Sequence, residues 1–392
     1  MHVLRSRLTL LLLILLTAAV PVTPALLQAD SIDSLKAEAV ATYADIVYAG
    51  YEDSHALALE LQSAIEAFVT EPNEDTLQTA RDAWLAAREP YGQTEAFRFY
   101  GGPIDDADGP EGLINAWPLD EAYIDYVDGD PDSGIINNVD AYPTIDAELL
   151  QSLNETGAEE NISVGFHAIE FLLWGQDLNA DGAGERPFTD YTTAPNADRR
   201  GQYLSITAGL LVDNLAYLLE AWSPDAGDNY RANFLARDPN EAITAMLTGI
   251  GVLSKSELAG ERMFTAYDNQ DQEDEHSCFS DNTHRDIINN VLGVRNVYLG
   301  EYTRIDGSTI SGTGLDDVMA AVDAEANART LELLSLAGEQ VDAIPVPFDR
   351  AIVAPSSRMQ VLESVLMLFD LGDQIAENAR LLGLRINTAL PD

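Results

Sequence analysis

The stretch Gly165-Phe-His167-Ala-Ile-Glu170-Phe-Leu-Leu-Trp174-Gly175 sets a histidine and a glutamate three residues apart inside an otherwise apolar run. At about 100° per residue, a helical wheel puts Ile162, Phe166, Ile169 and Leu173 on one stripe and Ser163, His167, Glu170 and Trp174 on the next. Val164, Ala168, Phe171 and Leu172 fill most of the remainder. A helix apolar nearly all round must be enclosed by other elements. A carboxylate enclosed with it is costly unless paired, so Glu170 calls for an arginine, a protonated histidine or a metal ion beside it.

Outward from this helix the periodicity stays helical. Ile32, Leu35, Ala39, Ile46, Leu57, Leu61, Ile65 and Phe68 predict a long helix or hairpin over 31–69, bent near Gly50. After Glu71-Pro-Asn-Glu-Asp75 a second helix starts with acidic residues in its first turn and an apolar face of Leu77, Ala80, Trp84 and Ala87. Pro90 is expected to end or kink it. Residues 101–143 form a long segment rich in Gly, Pro and Asp, and a connection of that length inside a domain is usually functional. Gly175 reads as the cap of the His167 helix, and the polar, turn-rich stretch 176–196 marks a domain boundary.

Beyond it helical patterns recur at 198–222, 240–267, 283–301, 315–340 and 357–384, with strand-type alternation almost absent. The predicted fold is all-α: two antiparallel helical-bundle domains packed together. Residues 30–194 carry the His-x-x-Glu helix and the irregular segment, residues 195–392 form the second bundle, and each can hold a site between facing helices.

Arg5 and Arg7, an apolar core from Leu8 to Val20 and Pro21-Val-Thr-Pro-Ala25 read as a signal peptide over 1–25, cleaved at 25–29. No later apolar run is expected to reach the length of a membrane span. The chain is therefore expected to be secreted across the inner membrane into the periplasm, soluble after cleavage. Cys278 is the only cysteine, so neither a lipid-attachment cysteine nor an intrachain disulfide is expected. The formal charge is −45, with two lysines, Lys36 and Lys255, which argues against nucleic acid and other polyanions. Two readings of that charge stay open: a solvated acidic coat, or a carboxylate funnel for metal ions.

Three segments concentrate the chemistry. His167 and Glu170 have the i, i+3 spacing by which helix bundles turn metal ligands inward, and the same spacing suits a hydrogen-bonded core histidine. The run from Asp271 to Asp286 holds His276, Asp281 and His284, so these two segments contain three of the four histidines outside the leader. Asp281 also fits the cap of the helix that follows, and Cys278 reads as a packed, inert thiol. In Arg88 to Asp105, Glu95 and Arg98 share a helical face, as an ion pair or as part of a pocket with Asp105. Glu257 and Glu261 sit four apart beside Arg262. Asp177-Leu-Asn179-Ala-Asp181-Gly182 copies the first half of a calcium loop, but Phe188 stands where the closing Glu belongs, so a polar turn is favoured over calcium. Nitrogen and oxygen donors at His167 and Glu170 suit a divalent or ferric ion, and ligand type alone does not decide between iron, manganese and zinc.

Taken in order, Gly165-Phe-His167-Ala-Ile-Glu170, Thr94-Glu-Ala-Phe-Arg-Phe-Tyr-Gly-Gly-Pro-Ile-Asp105 and His276-Ser-Cys-Phe-Ser-Asp-Asn-Thr-His284 resemble the imelysin family, also described as insulin-cleaving metalloproteinase or iron-regulated protein A. The resemblance spans essentially the whole mature chain. It implies a two-domain helical-bundle fold, export, and a link to iron uptake with a metal site at His167 and Glu170, the partners being a metal ion or chelate and other envelope iron-uptake components. The alternative is a secreted zinc endopeptidase with Glu170 as base. Zinc peptidases of inverted motif carry His-x-x-Glu-His, and Phe171 occupies the place of the second histidine. A third reading is a non-catalytic interaction module with His167 and Glu170 as a structural pair.

Overall fold

Asn73 starts the second helix by a capping box: its side chain accepts from the Thr76 amide at 3.1 Å while the Thr76 hydroxyl accepts from the Asn73 amide at 3.1 Å. This turn joins α1 (Pro24–Thr70) to α2 (Glu74–Thr94), and the two helices pack along one another. The coordinates are a computed structural model that describes residues 24–179 and 182–391, with side chains from Ser31 onward. Most of the expected signal peptide, and Asp181 of the calcium-like loop, lie outside the described residues.

α1 is one uninterrupted helix, not a hairpin, and the bend expected at Gly50 is replaced by close packing: a Cβ there would sit 3.2 Å from the Phe97 ring. Nor does Pro90 end α2, which continues to Thr94. Arg88, Pro90, Tyr91 and Gly92 are all buried, so tertiary packing outweighs the one backbone bond that proline removes.

α3 (Phe166–Trp174) packs against α2 and against α4 (Ala197–Ala221), and all nine of its residues are buried. It begins later than the wheel supposed, because Gly165 adopts φ +92°, which excludes Ile162, Ser163 and Val164 from the helix. Ser163 instead donates its hydroxyl to the Leu150 carbonyl at 2.7 Å. Gly175, at φ +74°, closes the helix as expected.

The irregular segment 101–143 contains three one-turn helices, Glu111–Ile114, Glu121–Ile124 and Gly134–Asn137. It is pinned from outside: Asp125 takes Arg186 at 2.7 Å and Arg200 at 2.6 Å, both arginines buried. α4, which carries Arg200, corrects the expectation about membrane spans, being long and apolar enough to cross one. Its apolar side instead faces the core, with Tyr203, Leu204, Leu211, Leu215 and Leu218 buried.

α5 (Pro239–Val252) runs directly into a π-helix, Leu253–Phe264. α6 (Thr283–Leu299) follows, then the antiparallel hairpin β1 (Glu301–Thr303) and β2 (Thr309–Ser311), the only strands among the described residues. The pattern at 315–340 divides at Asp323, whose carboxylate accepts from the Glu325 and Ala326 amides and starts α7 (Ala324–Asp342). α8 (Arg358–Leu381) completes an all-α fold. One hydrophobic core runs from Ala39 to Ala379 across the expected division at 194/195, so we propose that division as a grouping of helices within one core.

Candidate metal centre

α3 presents His167 and Glu170 to the turn that precedes α6. Their side chains are fully buried, with His167 Nδ1 2.9 Å from Glu170 Oε2. The other carboxylate oxygen, Oε1, accepts from the Ser280 amide at 2.9 Å and the Ser280 hydroxyl at 2.7 Å. Burial pushes Glu170 up to about 8 against the pull of those Ser280 bonds. Burial first, and then the charges of His276 and Arg88, hold His167 well below its ordinary value. At neutral pH the pair is therefore uncharged. With Oε1 occupied by donors, the network assigns the proton to Glu170 Oε2, donated to His167 Nδ1. His167 Nε2 has no hydrogen-bond partner although it is buried.

His276 completes a two-histidine centre. Its ring centroid lies 4.7 Å from that of His167 at 78°, and the Trp117 ring stands 4.9 Å from one and 6.4 Å from the other. His276 Nδ1 is 3.2 Å from Asp286 Oδ2, and Nε2 is 3.4 Å from Asn115 Nδ2. Arg88 Nη2 also lies 3.4 Å from Nδ1, but the shorter Asp286 contact and the Asn115 amide on the other side assign Nδ1–H to Asp286 and leave the Nε2 lone pair accepting from Asn115. Burial would raise Asp286, but Arg88, 3.0 Å away, and then His276 overcome it and hold the carboxyl far below its usual range. His276 is kept neutral, at about 4, by burial first and then by Arg262.

Asn115 links this centre to Glu95, donating to Oε1 at 3.1 Å. Glu95 Oε2 pairs with Arg98 at 2.8 Å and Arg262 at 2.7 Å, so the pair expected on one helical face is part of a larger buried network. Arg98 continues to Glu111 at 3.1 Å and Arg262 to Glu257 at 2.8 Å. Against the effect of burial, Arg262 and then Arg98 hold Glu95 at about 2. The π-helix places Glu257 and Arg262 here, and such segments often mark functional sites. Above the network is a cavity of about 480 Å3, lined among others by Trp117, His276, Glu111, Glu257, Arg98 and Arg262. Glu155, Glu159, Glu261 and Asp274 also line it, so its walls are predominantly acidic.

Of the residues singled out in the sequence, His167, Glu170 and His276 meet, and Glu95 and Arg98 reach them through Asn115. Asp105 does not; its carboxylate accepts from the Phe99 and Gly102 amides and closes a turn. His284 turns to the Asp281 carbonyl, 3.1 Å away. Asp281 is not a cap: it has φ +56°, and Asn282 occupies the N-cap position without a side-chain capping bond, its side-chain amide donating instead to Asp286 at 3.4 Å. Cys278 is buried with its thiol pushed well up, chiefly by burial, as expected of an inert thiol. Among the described residues no three His, Cys, Asp or Glu side chains form a ready metal-binding group, so the centre offers two imidazole nitrogens rather than a closed coordination sphere.

Arg88, Asn115 and Asp286 were not among the residues singled out, and Ser280 only as an alternative to Asp281 for the cap of the helix that follows. Arg88 continues the apolar stripe of α2, four residues after Trp84, and Asp286 lies among the buried residues Thr283, Ile287 and Asn290 of α6. A charge on a buried stripe was the available signal. Asn115 lies just beyond a one-turn helix and Ser280 in a turn, and neither position has a period to flag it.

Two carboxylate-held histidines buried beside an acid-lined cavity in an all-α fold set the class of protein. The chain belongs to the imelysin family, whose model, described as Imelysin, matches residues 47–375. It is 26% identical over 339 residues to Iron-regulated protein A of Synechococcus elongatus, covering 84% of this chain and 82% of that protein. Among solved structures it resembles a protein of Parabacteroides distasonis described as an iron-regulated protein A precursor, with a TM-score of 0.69 and 20% identity, over 88% of this chain and 95% of that one. An imelysin-like protein of Psychrobacter arcticus has a TM-score of 0.62 at 14% identity, over 91% of this chain and 98% of its own. These structural likenesses carry the fold.

Proposed function

We propose that the protein is a periplasmic, iron-related binding protein whose acidic cavity takes a metal ion or an iron-containing chelate through His276 Nε2 and His167 Nε2. Iron is the favoured ion and zinc the alternative. The observation that carries this reading is the buried, unpartnered Nε2 of His167 beside a second imidazole, His276, that lines the cavity, where a metal would take the place of the Asn115 amide on Nε2. Each histidine has a carboxylate on its Nδ1, which is how ligating imidazoles are commonly oriented and made more basic. Two protein nitrogens leave most of a coordination sphere to be filled, which favours a metal that arrives with ligands of its own. The iron association rests on the name of the Synechococcus relative. Envelope iron-uptake components are the partners that fit this role.

Glu170 in this reading acts through His167. While Glu170 holds its proton, His167 Nδ1 accepts and Nε2 carries a hydrogen, so Nε2 has no lone pair for a metal. Binding requires that proton to leave, after which Nδ1–H donates to the carboxylate and Nε2 is free. A peptidase role gains no support from this geometry, because both oxygens of Glu170 are held by His167 and Ser280 instead of facing a water in the cavity.

The test is calorimetric titration of ferrous and zinc ions, and of ferric citrate, in buffers of different ionisation enthalpy. One proton should be released per metal below the Glu170 pKa, with affinity rising about tenfold per pH unit up to about 8. In Glu170→Gln the amide NH2 donates to His167 Nδ1, fixes the hydrogen on Nε2, and should abolish both the proton release and most of the affinity. Unchanged affinity and pH dependence in Glu170→Gln and in His276→Ala would overturn the proposal.

A further inference from the structure

Four carboxylates from separate segments gather beside the 270–282 turn: Asp177 just after α3, Glu275 and Asp281 on the turn, and Asp349 in the short helix Phe348–Val353. Asp177, Glu275 and Asp349 are buried, at 3%, 1% and 6% exposure. Glu275 feels the charges of Asp349, Asp281 and Asp177; Asp281 feels Asp349 and Asp177; Asp177 feels Asp349. The neighbourhood is thus shared and rich in carboxylates, with Arg350 beside it and one Asp349 oxygen accepting from the Arg350 amide at 2.6 Å.

Glu275 supplies an independent observation. Neither of its carboxylate oxygens has a hydrogen-bond partner, the Thr283 hydroxyl approaching without completing a bond. Asp177 accepts from the Asn179 amide at 2.9 Å through one oxygen, and its other oxygen, also buried, has no partner. Buried carboxylate oxygens left without donors among other carboxylates ask for a cation. A cavity of about 490 Å3, lined by Asp177, Asp271, Glu273 and Asp349 with Arg350, opens on two of the four carboxylates, Asp177 and Asp349.

We propose that Asp177, Glu275, Asp281 and Asp349 form a second cation site, separate from the His167–His276 centre, that takes a hard divalent ion of the calcium type through carboxylate oxygens alone. Side-chain donors that are all oxygen select calcium or magnesium over softer metals, and a flexible set drawn from several segments suits calcium better than the rigid octahedron of magnesium. The calcium-like start at Asp177 lacked its closing glutamate at Phe188. Glu275 fills that role from a distant part of the chain. Among the described residues the four do not yet form a closed ligand set, and the ion would draw them together, replacing mutual repulsion by ligation. In keeping with this, burial and then Asp349 and Asp177 push Asp281 up to about 7, and burial pushes Asp177 up to about 6.

Thermal unfolding of the full mature protein in chelator, in calcium and in matched magnesium tests the site. Millimolar calcium should raise the Tm by about 4 °C or more, and magnesium by less. Glu275→Gln, which keeps the shape but cannot supply a carboxylate, should lose the calcium-specific rise. Asp281→Asn should lose the same rise, giving a second readout if the first variant folds poorly. A calcium rise undiminished in both variants, matched in full by magnesium, or absent from the wild type would overturn the site.

Discussion

His276 is neutral in the folded protein because burial, and then Arg262, hold its imidazole at about 4, while an unfolded histidine titrates near 6.5. As pH falls from 6.5 towards 4, the unfolded chain takes up a proton that the folded one refuses, so stability is lost across that window. His276→Gln removes this contribution. Its denaturation midpoint should fall less between pH 6.5 and 4.5 than that of the wild type, and parallel curves for the two proteins would refute the assignment. Glu170 has the opposite sense. Its raised pKa makes the folded state the better proton binder between about 4.5 and 8, so its contribution is lost as pH rises through that range. Spacing and the scarcity of histidine were enough to single out His167, Glu170 and His276. Asn115 and Ser280 escaped because a position in an irregular segment acquires its neighbours only from tertiary structure, and Asp281 was misread because its left-handed backbone, at φ +56°, leaves the N-cap position to Asn282.

At the scale of elements, the helix carrying His167 is positioned by one glycine. Gly165 adopts φ +92°, and a Cβ there would lie 2.6 Å from the Ile114 carbonyl oxygen. Gly165→Ala combines left-handed strain with a backbone clash next to Asn115, and should cost at least about 2 kcal/mol in urea denaturation. The variant should bind metal more weakly as well, since the contact at Ile114 fixes the Asn115 end of the centre; an unchanged midpoint would contradict this account. Helical periodicity gave most helices correctly, but single-residue rules failed where packing dominates. Pro90 lies inside α2 because its neighbours are buried on several sides, and Gly50 does not interrupt α1, where its missing Cβ makes room for Phe97. The π-helix had no distinguishing signal, since its apolar spacing passes for that of an ordinary helix over so few turns.

For the molecule as a whole, 66 acidic and 21 basic residues give the charge of −45, and several of the arginines are spent on buried pairs with Asp125, Glu95 and Asp286. The surface is left more strongly negative than the composition alone conveys. Self-repulsion of that size should make the protein melt several degrees higher at about 150 mM than at about 10 mM sodium chloride, as the screening length shortens from about 30 to about 8 Å. A Tm independent of salt would mean that the acidic residues are too well separated to act on one another. The all-α class was legible because periodicity is local. The continuous core was not, because no local pattern reports that α1 spans both halves.

α1 also sets the order in which the molecule can be finished. At about 1.5 Å per residue its 47 residues reach roughly 70 Å, and Asp53 near its middle is satisfied by Tyr302 at 2.9 Å and by Arg304 at 2.6 Å, some 250 positions later. The first helix among the described residues is thus completed only by the hairpin. Until β1–β2 has packed against it, Asp53 lacks the partners for which it is buried.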